Sequence, residues 1–361
     1  MKRINSLLAL AGLLLGINSY VAADNVISTA AGGAFPNGYF GSLVSTSTTV
    51  MRGTVICKQG IDIGTNKLFY DADGPVYGRI MFNQTGVQGG SLLLASDLRL
   101  GSTCELRSGA ENLYLKIDGR GGNSIIMGDD LRLTFSTQFL DDTVIDGRGH
   151  TLTLQAPIEI GDATVVPKVL TLRNMRLVVY PGVAEPFQLV AGTASGSVVL
   201  QNVDLYLPPN QLTFLEDAIE VVCHRQVRLM GPGGTLRFLN TALATPSLFI
   251  DKCSSLKVEQ DVTFSVWGDA GGGFLLQGLD ASSECWLDGC KLDHHSRDAG
   301  PSILPVSNLN MYFDNKVTVS VTAGEGVATP DEAAISIDAL TVNAQVRGGA
   351  TVNVIGTMLY E

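Results

Sequence analysis

The chain has 361 residues, 45% of them apolar and 16% charged, with 41 Gly and 13 Pro. That apolar content excludes an intrinsically disordered chain, and so low a charge argues against a coiled coil. Lys and Arg total 24 against 35 Asp and Glu, a net charge of −11; phosphate binding needs clustered cations, so no nucleic-acid partner is expected.

In chain order the first element is a processing signal. Lys2 and Arg3 precede an almost wholly apolar stretch from Leu7 to Ile17, and Val21-Ala22-Ala23 supplies small residues for cleavage before Asp24. The apolar stretch is shorter than the roughly 20 residues of a membrane span. The expectation is a signal peptide over residues 1–23 and an exported protein, extracellular, at the cell surface or in the periplasm. No membrane span is expected after cleavage. Residues 24–50 are rich in Gly, Ser and Thr and read as an N-terminal leader or cap, with one β domain over 51–361. Six cysteines follow the signal: Cys57, Cys104, Cys223, Cys253, Cys285 and Cys290. In an exported chain all six are disulfide candidates, with Cys285–Cys290 and Cys223–Cys253 the nearest pairings, although spacing alone does not fix connectivity.

Beyond the signal the chain reads almost entirely as strand. Leu113 to Ile117, Leu131 to Phe135 and Val317 to Val321 alternate apolar with other residues, the pattern of half-buried strands. No run of a dozen residues carries helical periodicity, which excludes doubly wound sheets and α/β barrels. Repeats then point to the architecture. Ile117-Asp118-Gly119-Arg120-Gly121 returns as Ile145-Asp146-Gly147-Arg148-Gly149, displaced by 28, and Leu170 to Leu177 returns as Val198 to Leu205 with the same displacement. Positions 118, 146, 174 and 202 then read Asp, Asp, Asn, Asn, with Arg120, Arg148 and Arg176 also one repeat apart. A second family, Ala95 to Leu100 and Gly128 to Leu133, is offset by 33. Short strands repeating every 28 or so residues suit a coil of parallel strands, each turn stacked on the last so that equivalent residues form ladders about 4.8 Å apart. Stacked Asn174 and Asn202 can hydrogen-bond along such a ladder, whereas Asp118 over Asp146 needs a counter-charge, from the Arg column or from a bound cation.

The Ile-Asp-Gly-Arg-Gly segments at 117–121 and 145–149, followed by strands such as Leu170 to Leu177, resemble right-handed parallel β-helix proteins of the pectate-lyase-like fold over roughly residues 50–360. The resemblance implies an all-β, single-stranded right-handed parallel β-helix with coils of about 28 residues. It is a resemblance of architecture, since that fold hosts lyases, hydrolases, tailspikes, adhesins and structural proteins. Lyases of the fold use calcium held by carboxylates with an Arg base, and polygalacturonases use three Asp with a Gly-His-Gly segment. Here Asp141-Asp142 is similar to the paired acids, but Gly149-His150-Thr151 lacks the second glycine and no Arg-x-Pro-x-x-Arg occurs.

The catalytic candidates are therefore Asp141, Asp142 and Asp146, set against plain turn acids. Calcium is the one candidate cofactor, since acid clusters supply the oxygens it takes; its candidate ligands are Asp118, Asp146, Asp129 and Asp130, with Asp71-Ala72-Asp73-Gly74 reading as a turn. Cys285, Cys290, His294 and His295 gather soft ligands in eleven residues, though at no standard zinc spacing. Phe69, Tyr70 and Tyr77, or Tyr312 and Phe313, are aromatics that stack on sugar rings if they face outward. Three functions follow: a non-catalytic surface or envelope protein with a structural or self-assembling role, a polysaccharide-degrading lyase or hydrolase, and a glycan-binding adhesin. The expected partners are further copies of the chain, end to end or side by side, or a polysaccharide.

Overall fold

The computed structural model describes the strands lying between residues 26 and 82 and most of residues 91–361. Residues 1–25, 83–90, 109–114, 241–246, 269–274, 297–301, 323–332 and some shorter stretches lie outside the described residues, and with them the expected signal peptide. Every described regular element is a β-strand, stacked in parallel as a β-solenoid consistent with the expected right-handed parallel β-helix. Among the described residues no helix is long and apolar enough to cross a membrane.

Three faces wind around one core. The first face runs from Leu98–Arg99 and Ser124–Ile126 through Thr143–Asp146 to Thr357–Tyr360. The second runs from Leu131–Leu133 and Thr151–Leu154 to Leu309–Asp314 and Val342–Val346. The third is built in two blocks, one ending on Phe187–Leu189 and one running from Leu212–Leu215 to Thr351–Ile355. In the middle coils the strands Lys168–Val179, Gly196–Tyr206 and Ile219–Met230 turn the corner between first and second face without a break. Strands in the expected leader, Val26–Thr29 and Ala34–Phe35, already pair in parallel with Gly38–Ser45 and Thr49–Gly53.

Alternation decides what is core. On the first face Leu170, Val198, Val221, Leu248, Leu276 and Val306 follow one another inward, all buried. Removing each such side chain from water stabilises the fold by roughly 1.5–3 kcal/mol, and the ladder repeats this on every coil. Leu172 pairs with Leu200, a step of 28, while Leu200 pairs with Cys223, a step of 23, so coil length flexes while the inward column persists.

The two repeats seen in the sequence differ in meaning. Leu170 to Leu177 does lie against Val198 to Leu205, residue for residue except at the corner. The Ile-Asp-Gly-Arg repeat does not stack. Asp118 ends a third-face strand and pairs with Leu93, whereas Asp146 ends a first-face strand and pairs with Ile126. The coil between them is short, Ser124 pairing with Val144, a step of only 20, so a displacement of 28 overshoots by one face. The offset of 33 behaves likewise, because Leu98 is on the first face and Leu131 on the second. What the Asp-Gly-Arg segments share is a corner. In each, the Asp Oδ1 accepts a bond from the backbone N–H of the Arg two residues on, 2.9 Å for Arg120 and 3.1 Å for Arg148. Each Arg adopts a left-handed φ, 47° and 50°. Each Gly leaves room for the next coil: a Cβ on Gly119 would sit 2.2 Å from the Asp142 carbonyl oxygen, and one on Gly147 2.4 Å from Met175 Cβ. The motif encodes a turn rather than a position in the coil. Nor do Arg120, Arg148 and Arg176 form a column, since Arg176 lies on a strand opposite Thr151.

Candidate functional site

The expected ladder survives in part. Asn202 Nδ2 donates to Asn174 Oδ1 at 3.1 Å, and Asn174 Nδ2 donates to Asp146 Oδ1 at 3.2 Å, so three of the four positions form an amide chain along the first-to-second corner. Asn174 and Asn202 both adopt left-handed φ, 53° and 52°, a conformation Asn tolerates. Asp146 is neutralised by Arg173, whose Nε donates to its Oδ2 at 3.0 Å, and not by the Arg two residues on. Burial pushes its carboxyl up, but the bonds from Asn174, the Arg148 N–H and Arg173 outweigh burial and hold it below its ordinary value.

A groove among the described residues lies along this same corner. The three unbroken strands form its floor, and longer corners stand up on either side: residues 147–150 on one, residues 251–254 and 279–283 on the other. A register shift at Gln201/Val203, which leaves Arg225 unmatched, opens the floor further. Gly149, Thr151, Asn174, Arg176, Asn202, Asp204, Gln226 and Arg228 line one half, and Arg225, Cys253, Ser254, Ser255, Ser282 and Glu284 the other. Both carboxylates of this groove are engaged. Arg228 grips Asp204 with two N–H donors, its Nε at 2.7 Å from Oδ1, and Glu284 Oε2 accepts the indole N–H of Trp286 at 2.9 Å. The Arg176 guanidinium lies over the Tyr206 ring, 4.8 Å from its centroid. The groove thus offers amides, hydroxyls and guanidinium groups and no free pair of acids. Sequence reading singled out Asn174 and Asn202, and Arg176 only as a member of a supposed Arg column, but missed Asp204, Gln226 and Arg228, because their neighbourhood depends on a bulge and on corner lengths that no repeat displays.

Of the catalytic candidates, Asp146 belongs to the ladder beside this groove, held by Asn174 and Arg173, while Asp141 and Asp142 serve the backbone elsewhere. Asp141 Oδ1 accepts a bond from Lys168 Nζ at 3.0 Å and its Oδ2 one from the Gly121 N–H at 3.1 Å, while Asp142 Oδ1 accepts one from the Val169 N–H at 2.8 Å. Burial pushes the Asp141 carboxyl up, but the Lys168 bond and the backbone donors bring it below its ordinary value, so it is held ionised, unlike a general acid. One described carboxyl shifts the other way: burial raises that of Glu159, against the 2.8 Å bond it accepts from Gln138 Nε2. It lies on the third face, opposite Gln138 and Gln188 of the neighbouring coils. An inter-coil pair joins His224 Nδ1 to Asp251 Oδ2 at 2.5 Å.

The calcium candidates divide. Asp118 and Asp146 occupy different faces and form no joint site. Asp129 and Asp130 do come together with His150, one ligand atom of each lying within 4.8 Å of the others. Asp130 Oδ1 also accepts the Thr151 N–H at 2.7 Å. Cys285, Cys290 and His294 are buried, but strand alternation turns His295 outward, where it stacks on Trp267 at 4.4 Å, so the four do not converge as zinc ligands. Cys104, Cys223, Cys253, Cys285 and Cys290 are free thiols, and no disulfide forms among the described cysteines; Cys223 points into the core while Cys253 is exposed at a left-handed corner. The Cys57 side chain lies outside the described residues, as do those of Phe69 and Tyr77. Tyr70 and Phe313 are buried, and Tyr312 stacks on Trp286 at 4.2 Å, so the ring face it turns to that neighbour is occupied. No protein-family model, no curated protein and no solved structure matches the chain.

Proposed function

We propose that the chain is an exported, non-catalytic β-solenoid with a structural, self-associating role at the cell surface or beyond it. The observation that carries this reading is the state of its acids. Asp141, Asp142, Asp146, Asp204 and Glu284 each accept bonds that fix a corner or a ladder. Glycosidic cleavage by paired carboxyls needs one of them kept protonated beside an ionised partner, whereas Asp141 and Asp146 are both held below their ordinary value. Export rests on the basic start, short apolar stretch and small-residue cleavage site at the N-terminus. The test is a panel of acidic and neutral polysaccharides incubated with the purified chain. The expected result is neither reducing ends nor unsaturated products. Turnover that Asp141→Asn, Asp142→Asn or Asp204→Asn abolishes would replace the structural reading with an enzymatic one.

The corner groove favours a second reading, a glycan-binding adhesin, since amide, hydroxyl and guanidinium donors suit sugar hydroxyls and carboxylates. Calorimetric titration with oligosaccharides separates the two. Binding weakened about tenfold by Arg176→Ala, the loss of roughly one charge-assisted hydrogen bond, would support the adhesin; absence of heat with every sugar would leave the structural role alone.

A further inference from the structure

We propose that Asp129, Asp130 and His150 form a site for a divalent transition-metal ion, zinc above all, at the rim of the corner groove. The three come from one corner of two successive coils. Gly128-Asp129-Asp130 turns the chain from Ser124–Ile126 on the first face to Leu131–Leu133 on the second. Gly149-His150 ends the same turn one coil later, between Thr143–Asp146 and Thr151–Leu154. Stacking of the coils therefore sets His150 beside the two acids, although the chain runs a whole coil between them.

The backbone of this corner is fixed while its side chains are free to turn. Gly128 packs so closely on the preceding coil that a Cβ there would lie 2.3 Å from the Leu100 carbonyl oxygen. Asp130 Oδ1 accepts the Thr151 N–H at 2.7 Å, and the Arg176 N–H donates to the His150 carbonyl at 3.2 Å. The side chains of Asp130 and His150 are 66% and 37% exposed, so small rotations can close them on an ion. His150 Nδ1 stands 3.9 Å from Asp130 Oδ1. That is too far for a hydrogen bond, but it falls within the roughly 3–4 Å that separates two donors each bound 2.0–2.2 Å from one ion. One ligand atom from each of the three residues lies within 4.8 Å of the others.

Charge balance points the same way. Asp141, Asp146, Asp204, Asp288 and Asp293 each meet a Lys or Arg. Among the described residues the basic group that reaches this pair of acids is His150, so two adjacent carboxylates are left for a dication to neutralise. The donor set selects which dication. An imidazole nitrogen suits zinc, nickel and copper, whereas calcium takes oxygens. Three protein ligands leave a fourth position of a zinc ion open. His150 lies between Gly149 and Thr151, which line the groove, so that position falls to water or to an oxygen of a molecule held there.

Calorimetric titration of the chelator-stripped full chain with zinc and with calcium tests this, in a Cys253→Ser background that removes the exposed thiol from competition. The expected result is one equivalent of zinc, bound at least about tenfold more tightly than calcium. His150→Ala and Asp129→Asn are each expected to weaken zinc binding at least about tenfold, since even the partners of metal ligands are worth ten- to hundredfold in affinity. Both side chains stand at the surface, so far-UV ellipticity and unfolding without metal should not change. Zinc should raise the unfolding temperature of the parent chain and leave that of His150→Ala where it was. Absence of zinc binding, zinc binding indifferent to both substitutions, or calcium bound more tightly than zinc would overturn the proposal.

Discussion

Asp146→Ala should destabilise the solenoid by about 3 kcal/mol, while Asp118→Ala, in an identical Ile-Asp-Gly-Arg segment, should cost under about 1 kcal/mol. Asp146 is buried and accepts from Arg173 Nε, Asn174 Nδ2 and the Arg148 N–H. Its loss leaves a guanidinium without its carboxylate and removes the terminal acceptor of the Asn174–Asn202 chain. Asp118 accepts from the exposed Arg120 N–H within its own turn. Urea unfolding of the two variants measures the contrast. Equal losses would mean that the local turn, and not the inter-coil chain, carries the energy.

The same carboxylates set the acid limb of stability. Asp141, Asp146, Asp288 and Asp293 all sit below their ordinary value of 3.8 in the fold; burial opposes this in each, and bonds from Lys168, Asn174, Lys257 and Lys291 outweigh it. A carboxyl depressed by folding contributes stability above its unfolded value and loses that contribution as pH falls through the lower folded value. Stability is therefore expected to fall below about pH 4 and to fall less steeply in Asp146→Ala. Glu159, raised by burial, has the opposite sign: its ionised form is disfavoured in the fold, a penalty relieved as pH falls.

That contrast between Asp118 and Asp146 also marks how far the sequence could be read. Alternation of apolar residues and the true 28-residue step from Leu170 to Val198 are properties of strands in register, and they reveal a parallel coil before any coordinates. Corners leave a signature too, since Asp, Gly and a left-handed residue recur wherever the chain bends. A corner signature does not say which corner, because the coil has three and its length varies from 20 residues at Ser124 to 35 at Val317. The ladder was therefore legible at Asn174 and Asn202, on long unbroken strands, and misplaced at Asp118. The groove was illegible for the same reason, its walls being differences in corner length between successive coils. Side-chain partners such as Arg228 with Asp204 follow from a register shift at Gln201/Val203 that no repeat announces.

Gly278→Ala should be the most damaging single methyl group added to the chain's first face. Glycine is needed there by proximity and not by its own φ, which is absent from the left-handed set. Ile250 precedes it in the inward column, and the next coil turns its corner at Asn308, with φ 56°, directly against it. A Cβ on Gly278 would lie 2.0 Å from the Asn308 carbonyl oxygen and 2.8 Å from Ser283 Cβ. Backbone offers no rotamer to escape such a contact, so one coil must lift from the other. Lifting stretches the 2.9 Å bond that Asn308 Nδ2 donates to the Gly278 carbonyl and the 2.9 Å bond from Ser283 Oγ to the Ile250 carbonyl. Overpacking costs about 1–3 kcal/mol and each lost buried hydrogen bond about 1 kcal/mol more, so a loss of roughly 3–4 kcal/mol is expected. A substitution to Ala at Gly121, whose would-be Cβ meets nothing within 4 Å, makes the comparison. It carries only the strain of its φ of 81°, about 1 kcal/mol. Thermal unfolding should rank Gly278→Ala well below Gly121→Ala. The reverse order would place the constraint in backbone conformation and deny that close stacking of successive corners holds the coils together.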